Sequence, residues 1–299
     1  MDARGVCHGF LIKSRLEFQT LRHGQGSPLT VEEWAATDRP GDLVHEWLPR
    51  PENPFHGRLH RDGDRFRFWA NDAGWYTIDA RSPAIGVPPG SPGLRRELRM
   101  LGIPAALCMR EAGDLSIHAA AVDVAGRALL LAGPAHHGKT TLAAGFARRG
   151  YRLLSEDTTR CHAARPAVAY PGPAILRLRA DVAARLHVPD AAAAALEPPT
   201  DRQHLLLDRA ARGDGAALPL AAIILLKIGT DLRLRTVSAE QVVRDLWALT
   251  FQLPTDEFRA FCFDRLGQLA TSTTVLELER PLELGNLDRV VDVLAAAAG

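Results

Sequence analysis

The chain has 299 residues, 46% of them hydrophobic, and carries 36 Lys and Arg against 35 Asp and Glu, a formal net charge of +1. This length allows two domains, and the near-zero net charge gives no basis for general affinity for nucleic acid or an anionic membrane, so neither is expected as a partner. No signal-peptide pattern and no run of about 18 apolar residues occurs, so we expect a cytoplasmic protein. The cysteines have no metal-binding or disulfide spacing and are predicted to be buried thiols: Cys7, Cys108, Cys161 and Cys262.

Residues 1–93 are predicted to form a β-rich domain. Short alternating segments such as 65–70 and 75–78 are separated by Asp-Gly and Asn-Asp turns. Their aromatic residues could form a peptide-binding face, but alternation favours the core side of a small sheet. These residues are Phe66, Phe68, Trp69, Trp75 and Tyr76.

The turn-rich run 87–93 predicts a domain boundary, and residues 94–299 then form the second domain. Its first segment, about 94–110, has the apolar spacing of a helix that bridges the two domains. Residues 116–123, a turn at 125–126 and the apolar run 128–132 predict an antiparallel hairpin.

The run from Gly133 to Thr141 follows that hairpin and matches G-x-x-x-x-G-K-[ST], the pattern of loops that bind nucleotide phosphates. Backbone N–H groups at the start of the following helix point at anionic oxygens, while Lys139 adds a charge and Thr140 a hydroxyl for Mg²⁺. The alternative is a glycine loop that only turns the chain, but the strand, loop and helix appear in the required order. The predicted nucleotide-binding residues are Gly133, Pro134, Ala135, His136, His137, Gly138, Lys139, Thr140 and Thr141.

A short strand after that helix ends in Glu156 and Asp157. A crossover from the phosphate loop brings such a strand end close to the loop, where carboxylates can hold metal and accept a proton from an attacking hydroxyl. The alternative is a solvated strand terminus. Further on, a buried strand at 220–228 and a helix at 239–249 indicate an α/β fold, and residues 181–216 are expected to be a mobile connection near the site.

Three histidines occur near these elements. His118 begins a strand beside the loop, and could be either a structural residue or a neighbour of the phosphates. His136 and His137 occupy variable loop positions without metal-ligand spacing to other residues, so we interpret them as loop residues that touch the nucleotide.

The stretch from His118 to Asp157, roughly forty residues, resembles the catalytic core of bacterial HPr kinase/phosphorylases and of the HPr kinase-like proteins encoded in some lasso-peptide clusters. The resemblance implies an HPr kinase-like P-loop domain that uses ATP and Mg²⁺ to phosphorylate a serine of a peptide or small protein. It implies that Lys139 binds the β- and γ-phosphates, Thr140 and Glu156 hold Mg²⁺, Asp157 is the general base, and His118 is an active-site residue. Glu156 replaces the aspartate that is usual in the family.

The resemblance has limits. A downstream motif, which supplies a glutamate and an arginine for the reverse reaction and for oligomer contacts in the family, is not recognisable here. The resemblance therefore does not extend to phosphorolysis or to the family hexamer, although a homo-oligomer remains open. Arg202 falls where related kinases place a second basic contact to the phosphates, but an exposed arginine is usually only solvated.

The leading hypothesis is an ATP-dependent kinase acting on a serine of a peptide or small protein, with a lasso precursor as the most specific acceptor. One alternative is a regulatory module that binds nucleotide without transferring phosphate. The other is a small-molecule kinase, because nothing in the sequence fixes the size of the acceptor.

Overall fold

The computed structural model describes residues 1–34, 40–51, 54–90, 93–195 and 201–298, and within them it is a mixed α/β structure with several sheets. The predicted boundary at 87–93 and the segment 181–216 each include residues outside this set. The division into domains 1–93 and 94–299 stays a prediction.

An eight-stranded sheet contains all the described strands before residue 90, in the order β1-β2-β3-β8-β7-β6-β5-β4. Its strands are β1 Asp2–Cys7, β2 Phe10–Ser14, β3 Ser27–Glu33, β4 Asp42–Trp47, β5 Gly57–Asp62, β6 Arg65–Ala70, β7 Gly74–Asp79 and β8 Ala84–Val87. Phe68 and Tyr76 are buried on the core face, and Phe66 packs against them. The prediction is wrong for Trp69 and Trp75, which pair with each other across β6 and β7 on the opposite face, because side chains alternate along a strand.

The segment predicted as one bridging helix consists of two, α1 Leu94–Met100 and α2 Ile103–Glu111. The break coincides with Gly102 and Pro104. Proline has no N–H to continue the preceding helix but fits the first turn of a new one.

A nine-stranded sheet carries the phosphate loop, with the path β12-β10-β11-β18-β14-β13-β9, and with β20 pairing with β18 and β19. Its strands are β9 Leu115–Ile117, β10 Ala119–Val124, β11 Arg127–Ala132, β12 Arg152–Ser155, β13 Thr159–His162, β14 Val168–Tyr170, β18 Leu218–Ile228, β19 Arg233–Thr236 and β20 Thr274–Arg280. The predicted hairpin is confirmed as the antiparallel pair β10 and β11, and the predicted buried strand is confirmed as β18.

A three-stranded antiparallel sheet, in the order β15-β17-β16, lies beside the phosphate-loop helix. It consists of β15 Ile175–Arg179, β16 Ala191–Ala194 and β17 Arg202–Leu207. The predicted mobile connection at 181–216 is therefore wrong for 191–194 and 202–207, where β16 and β17 pair along their length.

The remaining helices pack against the nine-stranded and three-stranded sheets. They are α3 Lys139–Arg148, α4 Ala180–Ala183, α5 Arg209–Arg212, α6 Ala239–Trp247, α7 Asp256–Ser272 and α8 Leu287–Ala298, with a 3₁₀ turn at Leu284–Asn286. Along β11, Leu129 and Leu131 pack with α3 and α8, whereas Leu130 packs with α2, α6, α7 and the core face of the eight-stranded sheet. The predicted helix at 239–249 is confirmed as α6, and all four cysteines are buried and unpaired, as predicted.

Candidate active site

The phosphate-loop sequence lies between β11 and α3, in the order that the sequence predicts. Gly138 has φ +77°, a left-handed conformation that L side chains rarely adopt, and a Cβ there would lie 2.6 Å from Nη2 of Arg280. His136 also has positive φ, at 65°. Glycine is therefore required at 138 for both conformation and space.

Lys139 is turned onto its own loop. Its Nζ donates to the carbonyl oxygens of Gly133 at 2.6 Å and Pro134 at 2.9 Å, and the residue is 7% exposed. Burial lowers the pKa of Lys139, and the carboxylates of Asp157 and Glu156 partly oppose this. A desolvated ammonium held by carbonyl dipoles can exchange these partners for phosphate oxygens.

The other loop residues are more exposed. Pro134, Ala135 and His136 are exposed, whereas His137, Gly138, Thr140 and Thr141 are partly buried. The ring Nδ1 of His137 lies 3.0 Å from the carbonyl oxygen of Ala135, within the loop. Neither histidine takes part in a cluster of three or more His, Cys, Asp or Glu side chains, and the described part of the chain holds no such cluster.

His118 and the acid pair occupy a gap between two antiparallel chain segments. Ala121 lies opposite Ser155 where β10 pairs with β12, and Ile117 lies opposite Thr159 where β9 pairs with β13. The Ala121–Ser155 and Ile117–Thr159 pairs share one register, although the β10–β12 register shifts by one residue after Ala121, so the interruption between these two pairs brings residues 118–120 opposite residues 156–158. The strands separate here, and their side chains become available for chemistry.

Two contacts close this gap. The His118 Nδ1 lies 3.0 Å from the carbonyl oxygen and 3.2 Å from Oδ1 of Asp157. On the loop side, the Thr140 hydroxyl donates to Oε1 of Glu156 at 2.6 Å. The structure thus brings together His118, Thr140, Glu156 and Asp157, which the sequence predicted to lie near the phosphate loop.

Arg177 on β15 pairs with both acids, and sequence reasoning missed it. Its Nε donates to Oε2 of Glu156 at 2.7 Å and its Nη2 to Oδ2 of Asp157 at 2.8 Å. The surrounding chain raises the pKa of Asp157 by excluding water, but Arg177 and then His118 outweigh this and hold the pKa well below its usual range. The carboxyl group of Asp157 is therefore ionised at neutral pH.

Arg202 lies on β17 beside Arg177, whose carbonyl oxygen accepts from its Nη1 at 3.2 Å. Its charge contributes to lowering the pKa of Lys139. Arg202 thus contributes positive charge to the side of the site that holds Lys139.

Two further buried side chains near the site have unsatisfied polar atoms. Arg280, at the end of β20, is 4% exposed and its Nε has no partner, while its Nη2 lies 3.4 Å from the carbonyl oxygens of His137 and Gly138. His8 is fully buried, neither of its ring nitrogens completes a hydrogen bond, and it lines a chamber of about 50 Å³ together with Glu156, Asp157 and Arg177. Burial and then Arg160 lower the pKa of His8 to about 3, opposed by the backbone of Leu101, so its ring is neutral.

A larger cavity of about 420 Å³ opens on the other side of Asp157. Its lining includes His118, Asp157 and Arg177, and it extends between the eight-stranded sheet, α1, α2 and the segment after α6. The acid pair therefore has the phosphate loop on one side and a cavity on the other.

The residues present fit a magnesium nucleotide. Mg²⁺ prefers oxygen ligands and usually keeps several waters, so one or two protein ligands suffice beside phosphate oxygens. Thr140 and Glu156 offer such oxygens next to the loop. Arg280, whose buried Nε has no hydrogen-bond partner, adds a positive charge behind Gly138.

No protein-family model and no curated protein sequence matches this chain. Among solved structures, the Hpr(Ser) kinase/phosphatase from Coxiella burnetii is similar over 60% of this chain and 93% of that chain, with 10% sequence identity and a TM-score of 0.33. Similarity at this TM-score is too low to assign a function, so the function is inferred from the residues of the site. Within the described ranges, no helix is long and apolar enough to cross a membrane.

Proposed function

We propose that this protein is an HPr kinase-like enzyme that transfers the γ-phosphoryl group of ATP to a hydroxyl. The observation that carries the proposal is the acid pair in the strand gap, joined to the phosphate loop through Thr140 and Glu156 and open to a cavity through Asp157. A phosphate site on one side and an acceptor space on the other are what in-line transfer requires.

In this proposal each residue has a separate task. Lys139 and Arg202 bind phosphate oxygens, and the backbone N–H groups at the start of α3 orient them. Thr140 and Glu156 hold Mg²⁺, which neutralises the charge of the phosphates. His118 positions the carboxylate of Asp157.

The chemical step moves one proton and one phosphoryl group. The acceptor hydroxyl oxygen forms a bond to the γ-phosphorus, the bond from that phosphorus to the β,γ-bridging oxygen breaks, and ADP leaves. The hydroxyl proton passes to Asp157, whose low pKa keeps it ionised at neutral pH. After the proton has moved, the Nη2 of Arg177 would leave Asp157 and contact the transferred phosphoryl group.

The acceptor that we propose is a serine of a peptide or small protein, and the resemblance of residues 118–157 points to a lasso precursor. The volume of the cavity, about 420 Å³, also favours a second candidate, a small hydroxyl compound. Both candidates use the same residues and differ only in what enters the cavity.

Replacing Asp157 with Asn tests the proposal. Asp157→Asn is nearly isosteric but accepts a proton poorly, so single-turnover transfer from γ-labelled ATP should fall by about two to four orders of magnitude while nucleotide binding persists. Asp62→Asn, at an exposed strand end, is the matched control and should transfer normally. Near-normal transfer by Asp157→Asn would remove this residue from the mechanism, and ATP binding by wild type without transfer to any hydroxyl would favour a regulatory module.

A further inference from the structure

The cavity beside Asp157 is lined by two chemically different sets of side chains. His118, Asp157 and Arg177 contribute polar groups, whereas Phe55, Phe68 and Phe251 contribute aromatic rings, together with several aliphatic side chains. Its volume of about 420 Å³ lies within the range of small-ligand pockets, about 300–1,000 Å³. One occupant can therefore present a polar group to the acids and an apolar group to the rings.

The aromatic wall is tied directly to the catalytic gap. The His118 amide donates to the carbonyl oxygen of Leu249 at 2.7 Å, and the Phe251 amide donates to that of Ser116 at 2.8 Å. These backbone bonds hold the segment after α6 against the segment that carries His118. Backbone pairing thus places Phe251 beside the segment that carries His118.

The guanidinium nearest the aromatic rings is held by partners within the protein. Arg99 stacks on the Phe55 ring at 4.3 Å while its Nη2 pairs with Asp72 at 2.8 Å. Asp72 also pairs with Arg95, so the two guanidiniums share one carboxylate and a net positive charge remains behind the rings. The rings of Phe55, Phe68 and Phe251 present aromatic surface to the cavity.

We propose that this cavity selects the acceptor by a large apolar group, an aromatic or branched aliphatic side chain next to the hydroxyl, an inference that rests on the proposed kinase function. Burial of that group against Phe55, Phe68 and Phe251 places the hydroxyl at Asp157. Binding strength comes from apolar surface removed from water, and the polar groups orient the reacting oxygen.

The test uses capped hexapeptides with one serine in a glycine and alanine background, in which the residue after or before the serine is Phe, Leu, Ala or Asp. With γ-labelled ATP and Mg²⁺, kcat/KM for the Phe and Leu peptides should exceed that for the Ala and Asp peptides by about 10- to 100-fold. Equal use of all the peptides, or a preference for Asp, overturns the inference while leaving the kinase function standing.

Ala248→Trp asks whether the preference comes from this cavity. Ala248 lines the cavity at an exposed position, so a tryptophan there fills the mouth without entering the core. The preference for the Phe peptide should fall at least tenfold in Ala248→Trp and persist in Ala260→Trp, an exposed position on α7. An unchanged preference in Ala248→Trp overturns the inference, and Phe55→Leu provides a second test if the tryptophan variant does not fold.

A binding measurement separates the pocket from the chemistry. Labelled peptides in which alanine replaces the serine should still bind wild type more tightly with Phe than with Asp, and 2-phenylethanol should compete. Such binding without transfer to any serine peptide supports the pocket and contradicts the kinase proposal. Absence of any binding difference between the Phe and Asp peptides contradicts the pocket.

Discussion

Two buried arginines, Arg22 and Arg280, show how differently this chain treats a charge removed from water. Arg22 is 1% exposed, and all its nitrogens donate to backbone carbonyls: Nε to Gly172 at 3.0 Å, Nη2 to Leu153 and Leu154 at 3.0 Å each, and Nη1 to Arg212. Arg280 is 4% exposed and makes only long contacts of 3.3–3.4 Å, with its Nε unpartnered.

The difference separates a structural charge from one available to a ligand. Arg22 links the loop after β2 to β12 and the segment after β14, so its bonds hold the eight-stranded sheet against the nine-stranded one. Arg280 stands behind the phosphate loop with donor capacity left over. A buried donor without a partner costs free energy unless something else supplies an acceptor, and a nucleotide phosphate can do so.

The largest effect is expected from Arg22→Met, which leaves several buried carbonyls without a donor. The free energy of unfolding should fall by about 3–5 kcal/mol, the range found when one partner of a buried charged network is removed. Denaturant titration measures this, with Arg127→Met at an exposed turn as the control. A loss no larger than that of the control would show that Arg22 does not hold the two sheets together.

Lys139→Ala should have the next largest effect, and on ligand binding rather than on stability. The Nζ donates to the carbonyl oxygens of Gly133 and Pro134 within its own loop, so its loss breaks no contact between separate elements and the fold loses little. Loss of a charge-assisted phosphate contact should weaken ATP binding by about 100-fold, which corresponds to about 2.8 kcal/mol. Calorimetric titration with Mg²⁺ and ATP checks this, and wild-type affinity in the variant would contradict the phosphate-site assignment.

Local pattern was enough to predict the loop, the hairpin before it and the acid pair after it. The loop pattern spans eight consecutive residues, and β10 and β11 are joined by a tight turn, so short-range geometry decides both. Arg177 could not be found this way, because it meets Glu156 and Asp157 only through the packing of a separate sheet. The same holds for Arg280, which reaches the loop from a strand 142 residues further along the chain.

The aromatic residues show a second limit of sequence reasoning. Alternation correctly placed Phe68 and Tyr76 in the core, but it could not assign all five aromatic residues to one face, because Trp69 and Trp75 are partly shielded on the other by residues such as His56 and His60. The sequence could not predict the cavity beside Asp157 either, since its walls come from seven separate stretches of the chain.

Arg177→Gln should change the pH dependence of the transfer rate. Arg177 is the largest influence that lowers the pKa of Asp157, so its removal raises that pKa. The rate falls at low pH when Asp157 becomes protonated, so the acidic limb of the rate profile should move to higher pH in Arg177→Gln. The same ion pair also stabilises the fold: because the folded-state pKa of wild-type Asp157 lies below its unfolded value, this contribution is present above the unfolded pKa and is lost as pH falls through the folded pKa.

Single-turnover rates at saturating ATP across the acidic range measure this shift. Arg179→Gln, two residues along the same strand and paired with the exposed Asp181, is the control and should keep the wild-type profile. An acidic limb that stays in place in Arg177→Gln would show that a group other than Asp157 accepts the proton.

The smallest effect, and the sharpest contrast with Arg22, is expected from Arg280→Met. Burial lowers the pKa of Arg280, and no carboxylate within the described residues pairs with it, so replacing the charge by an apolar chain of similar length should change the free energy of unfolding by less than about 0.5 kcal/mol. Nucleotide affinity should nevertheless fall about tenfold, or about 1.4 kcal/mol, because the donor behind the loop is gone. Denaturant and calorimetric titrations on the same preparation separate the two quantities, with Arg289→Met on the exposed face of α8 as the control. If stability falls by several kcal/mol while nucleotide affinity stays at the wild-type value, Arg280 is a structural residue like Arg22, and its open Nε has no part in binding phosphate.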